Sequence, residues 1–434
     1  MAEFRHVDVI ETWLWGQRVG AVALDPGRRN HVFEYDPDWW RRGVQLAPLQ
    51  MPVDPGNPRP DARLFLFPGL DEATFHGLPG LLSDALPDRF GNQLIDAWMA
   101  THGYSPAQIT TLDRLAYMNK RAMGALEFRP ARGGLSASTT PIQMARLVEQ
   151  ARLAFQGRLD EADEATTALN QLISVGTSAG GARAKAVLGW NPETDELVAG
   201  QFDLPAGYQH WLLKFDGMGR DQQLGPSQQY GRIEYAYHRM AVLAGIDMQP
   251  CRLHHEGGRA HFMTRRFDRE GNTKLHVQSL CALQHISYNL TRTHAYESLF
   301  LTTRALGLDD AALTQLFARM AFNVAARNQD DHTRNFAFLM REGGPWELAP
   351  AFDVTLAMDP GNQWLQAHQM SVAGKFEDIQ RADLLTVADR FSIPGTAAAF
   401  ARINDALSAW PGLAEEAGIA PAEATRIGTL HRPL

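Results

Sequence analysis

The run Ala325-Ala326-Arg327-Asn328-Gln329-Asp330-Asp331-His332-Thr333-Arg334-Asn335-Phe336-Ala337-Phe338-Leu339 decides how the chain is read. A helical apolar pattern of Leu313, Leu316, Phe317, Met320 and Val324 leads into it. Asn, Gln and two Asp then break the helix, and Phe336 to Met340 reads as a short strand. A polar loop held between two apolar elements is where sites concentrate. Downstream, Leu348-Ala349-Pro350-Ala351-Phe352-Asp353-Val354 sets a third acidic residue at the end of another short strand. An Asp, an Asn five residues on, and an Asp on the next strand form the minimum kit of a kinase. One Asp takes the proton of the attacking hydroxyl, while the Asn and the second Asp hold magnesium on the phosphates.

Each of these residues alone is a common turn or cap residue. Zinc is a poorer match than magnesium. Only one histidine lies in the loop, and His254, His255, His261, His276, His285 and His294 show no ligand spacing. An oxygen-rich set suits magnesium.

Upstream, the chain opens on a β-hairpin over residues 4–24 with its turn at Gly16, followed by a strand at Val32–Tyr35. Pro48 to Pro60 is loop. A helical pattern runs from Leu78 to Met99, another spans Ile109 to Met118, and Leu126 to Arg129 is strand-like. Residues 1–110 thus form a small α+β unit, with a body at 111–270 and a mostly helical part at 271–434. Residues 141–171 are helical by period. A glycine-rich loop, Gly176-Thr177-Ser178-Ala179-Gly180-Gly181-Ala182-Arg183-Ala184-Lys185, leads into a strand. Its amides could cradle an anion. It lacks the Lys-Ser/Thr of a Walker A loop. It matches G-x-S-x-G at Ser178, but a nucleophile elbow needs a helix afterwards. A surface loop is the third reading.

Lys214 stands in the strand Trp211-Leu212-Leu213-Lys214-Phe215. It is either an outward charge on an alternating strand or a lysine turned in to meet phosphates. Glu234, on a helix from about Gln228 to Ala244, could hold such a lysine; the surface position is the preferred reading of Glu234.

The 434 residues allow one large domain or two to three lobes, with 45% hydrophobic and 21% charged residues giving ordinary globular composition. A net charge of -8 argues against general nucleic-acid binding. Two cysteines fit a reducing compartment. Without a signal-peptide pattern or an apolar run of roughly 18 to 20 residues, the expected place is the cytoplasm and no membrane is expected.

Taken together, the glycine loop, Lys214, Thr264-Arg265-Arg266-Phe267-Asp268-Arg269, the Asp330 loop and Ala349-Pro350-Ala351-Phe352-Asp353 resemble HipA-type serine/threonine kinases, toxins of HipA–HipB toxin–antitoxin pairs. The resemblance implies an α+β, bilobal kinase-like fold with an extra N-terminal subdomain. It implies Asp330 as base and Asn335 and Asp353 as magnesium ligands. ATP would be lined by Gly180, Gly181, Ala182, Arg183, Ala184, Lys185, Lys214, Arg265, Arg266, Phe267, His332, Asn335, Phe352 and Asp353. Ser178, or the adjacent Thr177, falls on the family's autophosphorylated position. Ala184 departs from the Pro or acidic residue of many relatives. Family substrates include aminoacyl-tRNA synthetases, and a helix-turn-helix antitoxin would mediate any contact with DNA. The competing classes are a pseudokinase-like nucleotide-binding module and a serine hydrolase.

Overall fold

A computed structural model describes residues 5–25, 27, 30–100, 102–131, 142, 147, 183–216 and 229–434. The first sheet is antiparallel, in the order β4-β3-β2-β1-β5. Its strands are β1 (Val9–Leu14), β2 (Gln17–Asp25), β3 (Asn30–Tyr35), β4 (Leu64–Phe65) and β5 (Glu127–Arg129). β1 and β2 join through Trp15 and Gly16, both at positive φ (48° and 75°), the backbone that matches strand twist in a two-residue hairpin. Trp15 accepts that conformation while its Nε1 donates to the Lys274 carbonyl at 3.0 Å, tying the hairpin to the body. Because β5 pairs with β1, this sheet draws on residues beyond 110. The helical stretch from Leu78 is two helices, Gly80–Ser83 and Arg89–Ala100, separated at Pro87, which has no N–H to continue the first.

The second sheet, order β7-β6-β8-β10-β9, holds β6 (Lys185–Trp190), β7 (Leu197–Ala199), β8 (Gln209–Lys214), β9 (Cys251–Glu256) and β10 (Arg259–Arg265). The helix Tyr230–Leu243 buries Ile233, Tyr237 and Met240, one stripe at helical spacing. The rest is mostly helical. Helix Asp310–Ala325 starts at Asp309, whose side chain accepts from the Ala312 amide at 3.1 Å, and is buried from Leu316 to its end. A three-stranded sheet of His276–Ser279, Ala337–Met340 and Trp346–Leu348 carries the segments flanking the Asp330 loop. This is mixed α/β architecture. No helix among the described residues is long and apolar enough to cross a membrane. Most of the helix expected at 141–171 lies outside the described residues.

The N-terminal unit is fastened to the helical part along a seam. Gly80 donates to His285 Nε2 at 2.9 Å, His276 Nε2 donates to the Leu46 carbonyl at 3.2 Å, and Trp346 Nε1 donates to the Gln45 carbonyl at 3.2 Å. A Cβ on Gly80 would come within 2.1 Å of the Ala282 carbonyl oxygen, so this approach requires glycine.

Candidate active site

The end of β8 points its lysine inward. Lys214 is 6% exposed; its Nζ donates to Glu234 Oε1 at 2.5 Å and to Asp353 Oδ1. Glu234 is 2% exposed, so the surface position preferred from sequence is wrong. It lies on the buried stripe beside Ile233, and the desolvation of its carboxylate is offset by Lys214 and by Arg183, 3.4 Å from its other oxygen. Arg183 also stacks over Tyr230, 4.4 Å from the ring centroid. Lys185 is buried at the start of β6, and its enclosure lowers its pKa, opposed chiefly by Asp353. Ala184 is buried beside it. Gly180, Gly181, Ala182, Ser178 and Thr177 lie outside the described residues. From Lys185 onward the chain is strand, not the helix a nucleophile elbow places after its serine.

Asp353 sits at φ 57°, a left-handed backbone that Asp tolerates better than most residues. Enclosure pushes its carboxyl up, but Lys214 and Lys185 outweigh that and hold it well below the usual carboxylate range. Lys214 shows the converse: burial lowers it, and Asp353 and Glu234 together raise it.

The Asp330 loop is pinned from both sides. The Gln329 amide donates to the Ala357 carbonyl at 2.9 Å, and the Ala357 amide to the Arg327 carbonyl at 3.2 Å. Asp331 is 1% exposed and accepts from Tyr296 Oη (2.7 Å), His368 Nδ1 (2.8 Å) and the Gln369 amide (2.7 Å). Those bonds consume its carboxylate. Asp330 differs: it is half-buried, and its carboxylate takes no hydrogen bond among the described residues. The Asn335 amide Nδ2 donates to the Asp330 carbonyl at 2.8 Å, which fixes the turn and leaves the Asn335 side-chain oxygen for another partner.

A cleft partly open to solvent lies beside these groups. Arg265, Arg266, Phe267, His332, Asn335, Phe352 and Asp353 all line it. Lys214 and Asp330 are not themselves in its lining: Lys214 is bonded to the lining residue Asp353, and the Asp330 backbone carbonyl accepts from the lining residue Asn335. The Phe267 and Phe352 rings stand 5.5 Å apart. The Arg266 guanidinium is buried in a two-bond pair with Asp268 at 2.8 and 2.7 Å. His332 Nδ1 is enclosed without a hydrogen bond among the described residues. Sequence reasoning missed the Tyr296, His368 and Gln369 partners of Asp331 and the pairing of Arg266 and Arg269 with Asp268. Their partners are either far apart in the chain or ordinary in composition.

Chemically, the cleft lining offers the Asp353 carboxylate, kept ionised by the buried Lys214 ammonium bonded to it, and the Asn335 side chain, with Asp330 in the same turn as Asn335. Among the described residues no three His, Cys, Asp or Glu side chains could hold a metal by themselves. Asn335 and Asp353 supply hard oxygen donors, which fits magnesium completed by phosphate oxygens and water.

Comparison with known proteins places these elements. The HipA N-terminal domain model matches residues 10–129, and the HipA-like C-terminal domain model matches residues 177–411. Among solved structures, the chain is similar to HipA from Shewanella oneidensis MR-1, solved as a toxin–antitoxin complex with HipB and operator DNA. That likeness has a TM-score of 0.64 and 17% identity over 97% of this chain and 95% of that one. It also matches the Helicobacter pylori proinflammatory kinase CtkA at TM-score 0.36 and 13% identity, over 58% of this chain and 93% of that one. No curated protein matches the sequence. With one domain model spanning more than half of its length and a second spanning its first sheet, the chain belongs to the HipA family.

Proposed function

We propose that this chain is an ATP- and magnesium-dependent serine/threonine protein kinase acting as a HipA-type toxin in the cytoplasm. The observation that supports it best is the Lys214–Glu234–Asp353 chain, whose Asp353 end lines the cleft, together with an Asp330 carboxylate that takes no hydrogen bond among the described residues. Under this reading the second sheet and its helix are one kinase lobe and the helical part is the other. Lys214 meets the phosphates, with Glu234 keeping it aimed. Arg265 to Phe267 form the hinge beside the base, with Phe352 and His332 closing the pocket. Magnesium, held by Asn335 and Asp353, would supply neutralisation of phosphate charge. Asp330 accepts the proton of the substrate hydroxyl as its oxygen bonds to the γ-phosphorus and the bond to ADP breaks. Such a reaction asks the protein mainly for positioning and charge.

The finer parts rest on the family resemblance. They are autophosphorylation at Ser178 or Thr177, a helix-turn-helix antitoxin partner (the Shewanella protein was solved with HipB), and an aminoacyl-tRNA synthetase as substrate. A phosphate on the glycine loop would repel Asp353 and the nucleotide phosphates, switching the enzyme off. The test is transfer from ATP labelled at the γ-phosphate. Label entering protein with magnesium and not with EDTA is expected. Absence of transfer to itself and to every protein of a cell extract would overturn the proposal.

A further inference from the structure

The cleft has a third wall that neither lobe provides. Leu81, Asp84, Ala85, Gly124 and Leu126, all from the N-terminal unit, line it with the hinge and the Asp330 loop. Leu81, Ala85 and Leu126 are apolar and almost wholly buried. The wall is fixed at both ends. At the hinge, the Gly124 amide donates to Asp268 Oδ2 at 2.7 Å, and Arg269 donates to the Gly124 carbonyl at 3.1 Å. Asp268 follows Phe267 directly, so Gly124 to Leu126 stand beside the hinge residues. Gly124 has φ +78°, and a Cβ there would meet the Val277 amide nitrogen at 3.2 Å, so the close approach needs glycine. At the other end, Asp84 accepts from the Ser279 amide at 2.7 Å and the Ser279 hydroxyl at 2.9 Å. Arg334, in the turn that carries Asn335, lies 3.8 Å from the same carboxylate.

From this geometry we infer that the N-terminal unit is part of the nucleotide site: Leu126, Leu81 and Ala85 pack against the bound base. The inference rests on the nucleotide reading above. An apolar wall beside a polar hinge suits a flat heteroaromatic ring, which buries its face and presents its edge to backbone groups. Leu126, Leu81 and Ala85 are therefore specificity-determining positions, contributed by the first 130 residues rather than by the lobes that bind phosphate.

Photolabelling of the full chain with 2-azido-ATP and 8-azido-ATP, with peptide mapping, tests this. ATP-suppressible label is expected in the peptides holding residues 81–85 or 123–126. Label suppressed by ATP but confined to residues 183–434 overturns the inference and leaves the nucleotide reading standing. No ATP-suppressible label anywhere overturns both. As a second measure, Ala85→Met pushes a longer side chain into the cleft. It should weaken Mg-ATP binding tenfold or more while the thermal midpoint without nucleotide stays near wild type. A folded Ala85→Met chain that binds Mg-ATP like wild type also overturns it.

Discussion

Asp330 and Asp331 are neighbours with opposite fates. Asp331 spends its carboxylate on three donors, and the half-buried Asp330 carboxylate takes none among the described residues. The spacing of Asp330, Asn335 and Asp353 was legible because an acid–amide–acid order on loop and strand has few structural reasons to occur. Glu234 was not legible, since periodicity shows that a residue faces inward but not whether a charge there has a partner. Its partner, Lys214, lies on another element. Glu234→Gln weakens the hold on Lys214, and steady-state phosphoryl transfer should fall roughly tenfold to a hundredfold. The Lys214–Asp353 pair also has a pH window. Asp353 is depressed in the folded state, so its contribution is present above an unfolded pKa of about 4 and fades as pH falls below that. Lys214 is raised, so its contribution holds below an unfolded pKa of about 10.4 and fades as pH climbs beyond its folded value.

At the scale of elements, strands and helices followed their apolar periods: the hairpin, the strand at Lys214 and the helix before the Asp330 loop all stand where alternation or helical spacing put them. The break at Pro87 needed the proline to be weighed above the period. The hydrogen-bonded frame of the Asp330 loop was hidden because its donors come from 35 to 38 residues away, at Tyr296, His368 and Gln369. Asp268 is the other concealed element link. Burial pushes its carboxyl up, yet Arg266 and Arg269 hold it well below the usual range, and it also accepts the Gly124 amide. Asp268→Ala leaves two buried guanidinium groups without their anion. A loss of about 3–5 kcal/mol in chemical denaturation is expected. A loss under about 1 kcal/mol would mean that water reaches the pair and the latch between hinge and N-terminal unit is weak.

Across the whole molecule, the seam between the N-terminal unit and the helical part carries two neutral histidines. Burial pushes His276 and His285 each down to about 4; the bond from His276 to the Leu46 carbonyl opposes this only in part. His285 Nε2 must stay unprotonated to accept the Gly80 amide. Unfolded histidines bind protons near pH 6.5, so stability falls as pH drops from about 6.5 toward 4. For His276, which is fully buried, the cost is roughly 1–2 kcal/mol by pH 5. The thermal midpoint should therefore drop between pH 7 and 5, and His276→Gln should flatten that slope; an equal slope in the variant would place the acid sensitivity elsewhere. Sequence could place both histidines in the chain but not on this seam, because the seam is made by units more than 200 residues apart. The central claim, phosphoryl transfer through Asp330, is tested most directly by intact-mass and peptide mass spectrometry of the dephosphorylated chain after incubation with Mg-ATP, beside Asp330→Ala. A gain of one phosphate at Ser178 or Thr177, absent from the variant, is the expected result; the same gain in Asp330→Ala would contradict the assignment of the base, and no gain in either chain would contradict self-phosphorylation.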